Sequence, residues 1–206
     1  MPHVAHERVP VEGNFADPSS LDDALTGTNR AFLLSPVVQE MADFQKKFVA
    51  AAERADVGHL VKLSAAGADP TSKWDIARWH GEVENRIDES DVSGTHLRPV
   101  FYMQNLLDAA ERLRETGLIE RPAPPDTRIN MIDTRDVAAV AATVLVDPDD
   151  ADAAYKLTGR RPVPLAEVGD TLTRVVGRDV TYREVGPEEA TELFVDQGSP
   201  EWLARE

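Results

Sequence analysis

The sequence predicts an α/β protein, a parallel sheet flanked by helices with a small C-terminal α+β region. Three observations predict it. Strand-like and helix-like segments alternate from Arg30 onward, the pattern that right-handed crossovers give in a parallel sheet. Ala31–Leu34 is a continuous apolar run, as expected of a strand covered on both faces. Gln39–Ala55 places Met41, Phe44, Phe48, Ala51 and Ala52 on one stripe of a helix, an amphipathic face seeking a core.

The elements follow in order. Arg8–Val11 is a short strand candidate. Asp17 reads as an N-cap with Pro18 at the first helical position, Leu21, Ala24 and Leu25 on one face, and Gly27 as the stop. His59–Ser64 (HLVKLS) is the next strand after Ala31–Leu34. A loop with Gly67, Asp69 and Pro70 leads into a helix over Lys73–Glu89, then a strand over Thr95–Val100. Phe101–Glu115 reads as helical, and Arg121–Asp126, with three prolines, as a loop. Asn130–Ile132 is a short strand, and Asp133 or Thr134 caps a helix through Val137, Val140, Ala141 and Val144. Tyr155–Leu157 is a strand, Leu165–Val176 a helix ended by Gly177, and Val180–Val185 alternates as an exposed strand does. Pro187 opens a further helix and Pro200–Arg205 a last one. The spacing suggests a main domain over 1–159 and a small C-terminal region over 160–206.

Composition narrows the function classes. No stretch approaches the roughly 18 apolar residues of a membrane helix, and MPHVAHERVP lacks the apolar segment of a signal peptide. Cysteine is absent, which removes disulfides, thiol catalysis and cysteine metal sites and fits a cytoplasmic protein. With 37 acidic against 22 basic residues the net charge is −15. That surface repels phosphate backbones and anionic membranes, so neither nucleic acid nor membrane is an expected partner. His3 and His6 share helical spacing without a third ligand nearby, and no metal site is expected.

Glycine is the informative absence. The 12 glycines are so spaced that no two form Gly-x-Gly or Gly-x-x-Gly. A dinucleotide's pyrophosphate needs such glycines at a strand-to-helix turn, where backbone comes close and a helix N-terminus faces the charge.

Seven stretches nevertheless resemble one group in its own order: GNFADPSSLDDAL (13–25), RAFLLSP (30–36), GHLVKLSAAGADP (58–70), ARWHGEVENRI (77–87), LRPVFYMQNLL (97–107), INMIDTRDVAAVAATVL (129–145) and AYKLTG (154–159). The chain resembles the NmrA-like, atypical short-chain dehydrogenase/reductase family. The resemblance implies a Rossmann-type sheet binding NADP or NAD, with a small C-terminal substrate region. Some members reduce quinones or unsaturated carbonyl compounds, and others sense the nucleotide without turning it over. Against that pattern Arg8–Phe15 already looks like the third strand and its turn, so the sheet is expected to be truncated and the cofactor's hold weak or lost. In the order 3-2-1-4-5-6, strand one is central. Its absence would leave Ala31–Leu34 as an apolar edge. Three outcomes are open: Arg8–Val11 pairs there, a second copy covers the edge as a homodimer, or the coding start lies further upstream.

The resemblance also nominates residues. His80 falls near the position of the short-chain enzymes' catalytic tyrosine, and an imidazole there can exchange a proton near neutral pH. The lysine of a Tyr-x-x-x-Lys pair would fall at Glu84, which cannot do a lysine's work. Tyr102 is the other proton-handling candidate. Leu34, Ser35 and Pro36 would line the adenosine side, Asn14 the adenine, Ser64 and Ala65 the nicotinamide ribose, and Pro99, Val100, Phe101 and Tyr102 the nicotinamide and an apolar small-molecule substrate. Gln104 and Asn105 add polar groups, and Trp74, Trp79 and Trp202 can add apolar walls. Ordinary strand-end packing is the plainer reading of these positions. For Asp133–Arg135–Asp136 helix capping is favoured. Three functions stay open: an NAD(P)H-dependent reductase of a quinone or carbonyl compound, a non-enzymatic ligand sensor, and a cofactor-independent acid/base catalyst working through His80.

Overall fold

The structure, a computed structural model, describes residues 9–107, 109–147 and 153–206. Its main sheet has four parallel strands in the order β1 (Arg30–Leu33), β2 (His59–Leu63), β3 (Ser93–Pro99) and β8 (Ala154–Leu157). Arg30 pairs with His59, His59 with Ser93, and His96 with Ala154. The α/β prediction therefore holds, and the strands expected at 31–34, 59–64, 95–100 and 155–157 build this sheet, whereas the one expected at Asn130–Ile132 does not join it.

Alternation along the strands assigns the two faces. Leu60 joins a core with Leu33, Met41, Val49, Val83 and Ile87. That core lies under α1 (Pro18–Leu25), α2 (Met41–Arg54) and α3 (Asp75–Asp88). Val61 joins the opposite core with Leu97, Ala141 and Val144, beneath α5 (Thr134–Val146). Lys62 shares the parity of Leu60 and so faces α3. Caps form where the sequence places them: Asp17 accepts from the Ser19 N–H, and Asp133 accepts from the Arg135 N–H.

Several expectations need correction. Val9–Val11 forms no strand, and Arg8 and the two N-terminal histidines lie outside the described residues. Among the described residues β1 pairs with β2 alone. Ala31 and Leu33 are buried, but Phe32 and Leu34 remain 37% and 58% exposed, so the run is covered on one face rather than two. The buried stripe of α2 is Met41, Gln45, Val49 and Ala52 rather than one centred on the phenylalanines. Phe44 and Phe48 lie at the rim, where Phe15 packs on both.

Phe101–Glu115 is not one helix. β4 (Phe101–Tyr102) pairs in parallel with β7 (Met131–Ile132), a 3-10 turn covers Met103–Leu106, and α4 starts at Ala110 and ends at Thr116. Gly117 then adopts φ 71°, a left-handed stop that suits glycine. A strand that the sequence did not reveal follows, β5 (Leu118–Arg121). Pro122 favours the extended backbone of Arg121.

β5 pairs in parallel with β10 (Thr181–Glu184). β6 (Arg128–Ile129) pairs with β9 (Val163–Pro164), antiparallel. α6 (Leu165–Val176) covers this part, with Leu113, Ile119, Met131, Val168 and Val180 as its core. Residues beyond 160 thus build their sheets with residues 118–129. α7 (Pro187–Asp196) and α8 (Glu201–Ala204) close the chain, and Trp202 packs on Trp79 at 5.6 Å.

Candidate active site

A cavity of about 620 Å³ opens at the carboxyl ends of β1, β2 and β3, where ligands settle in open parallel sheets. Each strand contributes the residues just past its last pairing. Leu34 and Ser35 follow β1, Ser64 and Ala65 follow β2, and Pro99 ends β3. Phe101 and Tyr102 of β4 form one wall with Asn105, and His80 of α3 forms another. Ser64 N–H donates to the Leu97 carbonyl at 2.7 Å and Ala66 N–H to the Pro99 carbonyl at 2.8 Å, which lock the rim.

Ten of the nominated residues, Val100 among them, therefore meet at one cavity. Asn14 and Pro36 do not line it. Asn14 is engaged in the turn before α1: its Oδ1 accepts from Ala16 N–H at 2.9 Å, and its own N–H donates to Ser20 Oγ at 2.8 Å. Trp79 is buried against Trp202 and Trp74 is exposed, both away from the cavity. Gln104 bridges Asp133 and the Thr134 N–H, as a cap of α5. Among the described residues no cluster of three or more metal-ligating side chains forms.

Beneath the cavity floor lies a charged cluster. Glu84 takes Arg98 Nε at 3.1 Å and Nη2 at 2.5 Å, and the Ser64 hydroxyl donates to it. Burial pushes the Glu84 carboxyl up, but the Arg98 and Ser64 hydrogen bonds and the nearby positive charges outweigh it and hold the carboxyl below its usual range.

Lys62 is the functional candidate that the sequence reading missed. Its side chain is wholly buried, with Nζ 2.8 Å from His80 Nδ1. A lysine thus stands beside His80, on the adjoining strand rather than on α3. The available signal was a lone lysine beside the apolar Leu60, Val61 and Leu63 of this strand, at the parity that faces α3. Burial, opposed by Glu84, brings the Lys62 ammonium down to about 7. His80 falls to about 3, first through burial and then through the Lys62 charge. The imidazole is neutral at pH 7, and Lys62 is the group that titrates near neutrality. Tyr102, half-buried, is raised by burial and stays a phenol.

Gln45, on the buried face of α2, is the other missed residue. Its Nε2 donates to Ser35 Oγ at 2.8 Å, while Oε1 is buried without a hydrogen-bond partner. Both residues line the cavity. A second cavity of about 260 Å³ adjoins the first, sharing Phe101 and Ile129 and adding apolar Ile119, Met131 and Val168. Among the described residues no helix is long and apolar enough to cross a membrane.

Comparison with known proteins agrees with this architecture. The NmrA-like family profile matches residues 9–204. The NAD(P)H azoreductase of Xenophilus azovorans is 35% identical over 192 residues, covering 93% of this chain and 67% of that protein. The crystal structure of the NADPH-dependent quinone oxidoreductase of Escherichia coli, complexed with NADPH, is 28% identical with a TM-score of 0.84, covering 95% of this chain and 69% of that one. The triphenylmethane reductase of a Citrobacter species, complexed with NADP(H), is 26% identical with a TM-score of 0.80, covering 94% of this chain and 68% of that one. The chain thus spans about two thirds of the length of these relatives. With the strand-end cavity in place and the profile matching nearly end to end, this protein belongs to the NmrA-like family.

Proposed function

We propose that this chain acts in NAD(P)H-dependent reduction of quinone-like or related conjugated small molecules. The observation that carries the reading is the cavity at the ends of β1–β3, apolar along Phe101 and Pro99, with His80 and Tyr102 in its wall. The residues present fit the nicotinamide half of a dinucleotide. Asn105, Ser64, His80 and Tyr102 supply polar groups beside the apolar Pro99 and Phe101. The glycine spacing that cradles a pyrophosphate does not occur in these 206 residues, so we expect weak cofactor affinity for this chain. A bound, reduced nicotinamide supplies a hydride. The protein's part is to stack an apolar ring against Phe101, exclude water, and deliver a proton from His80 or Tyr102 to the oxygen that becomes negative. The adjoining apolar cavity takes the rest of the substrate, with residues 160–206 closing that side.

The test is NADPH oxidation with a panel of quinones and azo dyes, paired with calorimetric titration of NADPH. Turnover that falls at least tenfold in His80→Ala or Tyr102→Phe supports the reading. Absence of turnover at saturating NADPH overturns it. Micromolar or tighter binding would refute the expected weak hold.

The second reading is a ligand-responsive binding module that pairs with a second copy through β1. The edge of β1, unpaired among the described residues, and the exposure of Phe32 and Leu34 favour it. Ligand-dependent dimerisation without turnover, measured by analytical ultracentrifugation, would select it.

A further inference from the structure

His80 has two ring nitrogens, and the structure gives them different fates. Nδ1 is held by Lys62 Nζ at 2.8 Å. Nε2 makes no hydrogen bond among the described residues, and the ring borders the main cavity. An ammonium has three donors and no acceptor. A protonated Lys62 must therefore donate to Nδ1, which leaves the ring's own proton on Nε2.

The setting of Lys62 explains why its charge can serve this purpose. The side chain has no exposed surface, and its remaining contact is the Leu63 carbonyl at 3.3 Å. The charged and titratable groups facing it are His80 and Glu84 from α3, and from β3 Arg98 and the lysine's register partner His96, the last held by Asp88 at 2.8 Å. Glu84 is already taken by Arg98 and Ser64, so among the described residues Lys62 has no carboxylate partner of its own. A buried ammonium so placed costs more than any apolar residue of that strand. A group kept at such a cost is a candidate for function.

We propose that Lys62 is a positioning residue and proton reserve for His80, holding the imidazole as the Nε2–H tautomer so that it donates into the cavity. The proposal rests on the reductase reading for the identity of the proton acceptor alone. In that setting Nε2 gives its proton to the oxyanion formed when hydride reaches a conjugated carbonyl. Nδ1 takes a proton from the Lys62 ammonium. The ring ends neutral as the Nδ1–H tautomer, Lys62 ends as a neutral amine, one proton has moved to the substrate, and the hydride from the nicotinamide supplies both electrons. After product leaves, the same two transfers in reverse recharge Lys62 from water through the cavity.

The experiment reads the ring itself. Ring nitrogens of the ¹⁵N-labelled full chain are followed by NMR from about pH 5 to about pH 9, a range in which a free imidazole would change charge. His80 is assigned by its loss in His80→Gln. The expected result is a neutral ring with the proton on Nε2 at low pH, moving towards mixed tautomers with a midpoint near 7, where the lysine loses its proton. Lys62→Met should abolish that midpoint. An imidazolium titrating near 6.5, a proton resident on Nδ1 at low pH, or a tautomer ratio indifferent to pH would overturn the proposal from the wild-type protein alone, whether or not the variant folds. An unchanged ring in a folded Lys62→Met would do the same. Turnover separates the two claims. If quinone reduction is absent while the tautomer midpoint is present, the reductase reading fails and the Lys62–His80 relation stands. If reduction occurs without the midpoint, the reverse holds.

Discussion

Arg98 grips Glu84 with two nitrogens, at 3.1 and 2.5 Å, across the boundary between β3 and α3. The carboxylate is nearly inaccessible while the guanidinium reaches solvent. The Ser64 hydroxyl closes the arrangement from the end of β2. One ion pair thus ties two strands and a helix directly below the cavity.

Glu84→Gln should therefore destabilise the fold by about 2 kcal/mol, since Arg98 regains water on losing its partner and the amide keeps the Ser64 bond. The folded carboxyl titrates below its unfolded value. Its stabilisation is present above about pH 4.5 and lost as pH falls through the folded value. Urea unfolding at neutral pH and near pH 3 checks both parts, with the variant's deficit shrinking in acid.

Lys62 acts in the opposite sense. Its folded value, about 7, lies below the unfolded 10.5. Between them the unfolded chain holds the proton and the folded chain does not, so stability from this group rises with pH across that window. Below 7 the fold carries the full cost of the buried charge. Lys62→Met should stabilise the protein at pH 7 by on the order of 4 kcal/mol, with the gain vanishing towards pH 10.5. Thermal melts at pH 6, 8 and 10 give the trend.

Gly81 packs against the loop leading to α3. A Cβ there would drive into the backbone of Asp69 and Pro70, which cannot yield as a flexible side chain would. Gly81→Ala should cost about 2 kcal/mol or more through overpacking, although alanine favours a helix. A raised melting temperature in this variant would contradict the packing.

Association through the edge of β1, which is unpaired among the described residues, is expected to depend on salt. Copies of a chain with net charge −15 repel one another, and that repulsion is screened within roughly 8 Å at physiological ionic strength. Self-association should increase from low to high salt and weaken in Leu34→Glu, whose parent side chain is exposed beside the edge. Sedimentation velocity at two salt concentrations is the measurement.

Legibility followed the range of the forces involved. Asp17 with Pro18, Asp133, and Gly177 at the end of α6 were readable because caps and stops are local. The cavity was readable because strand ends at Ser35, Ser64 and Pro99 follow from alternation and family likeness. β5 was missed because its partner β10 is some sixty residues away and Pro122 dominates its surroundings. The 101–115 segment was misread because Phe101 and Tyr102 owe their extended form to Met131 and Ile132. Lys62 escaped because a contact between a strand and the following helix appears in neither element's own periodicity. Gln45 escaped because the aromatic side chains of α2 suggested a stripe turned away from the true core.

The stranded Oε1 of Gln45 makes the seam between α2 and the end of β1 costly to hold. A carbonyl shut away from water with no donor forfeits roughly 1–3 kcal/mol, and the Ser35 hydroxyl, turned to the Pro36 carbonyl, does not relieve it. The oxygen is closed to the cavity as it is to water, so the fold itself carries that deficit where α2 meets the end of β1.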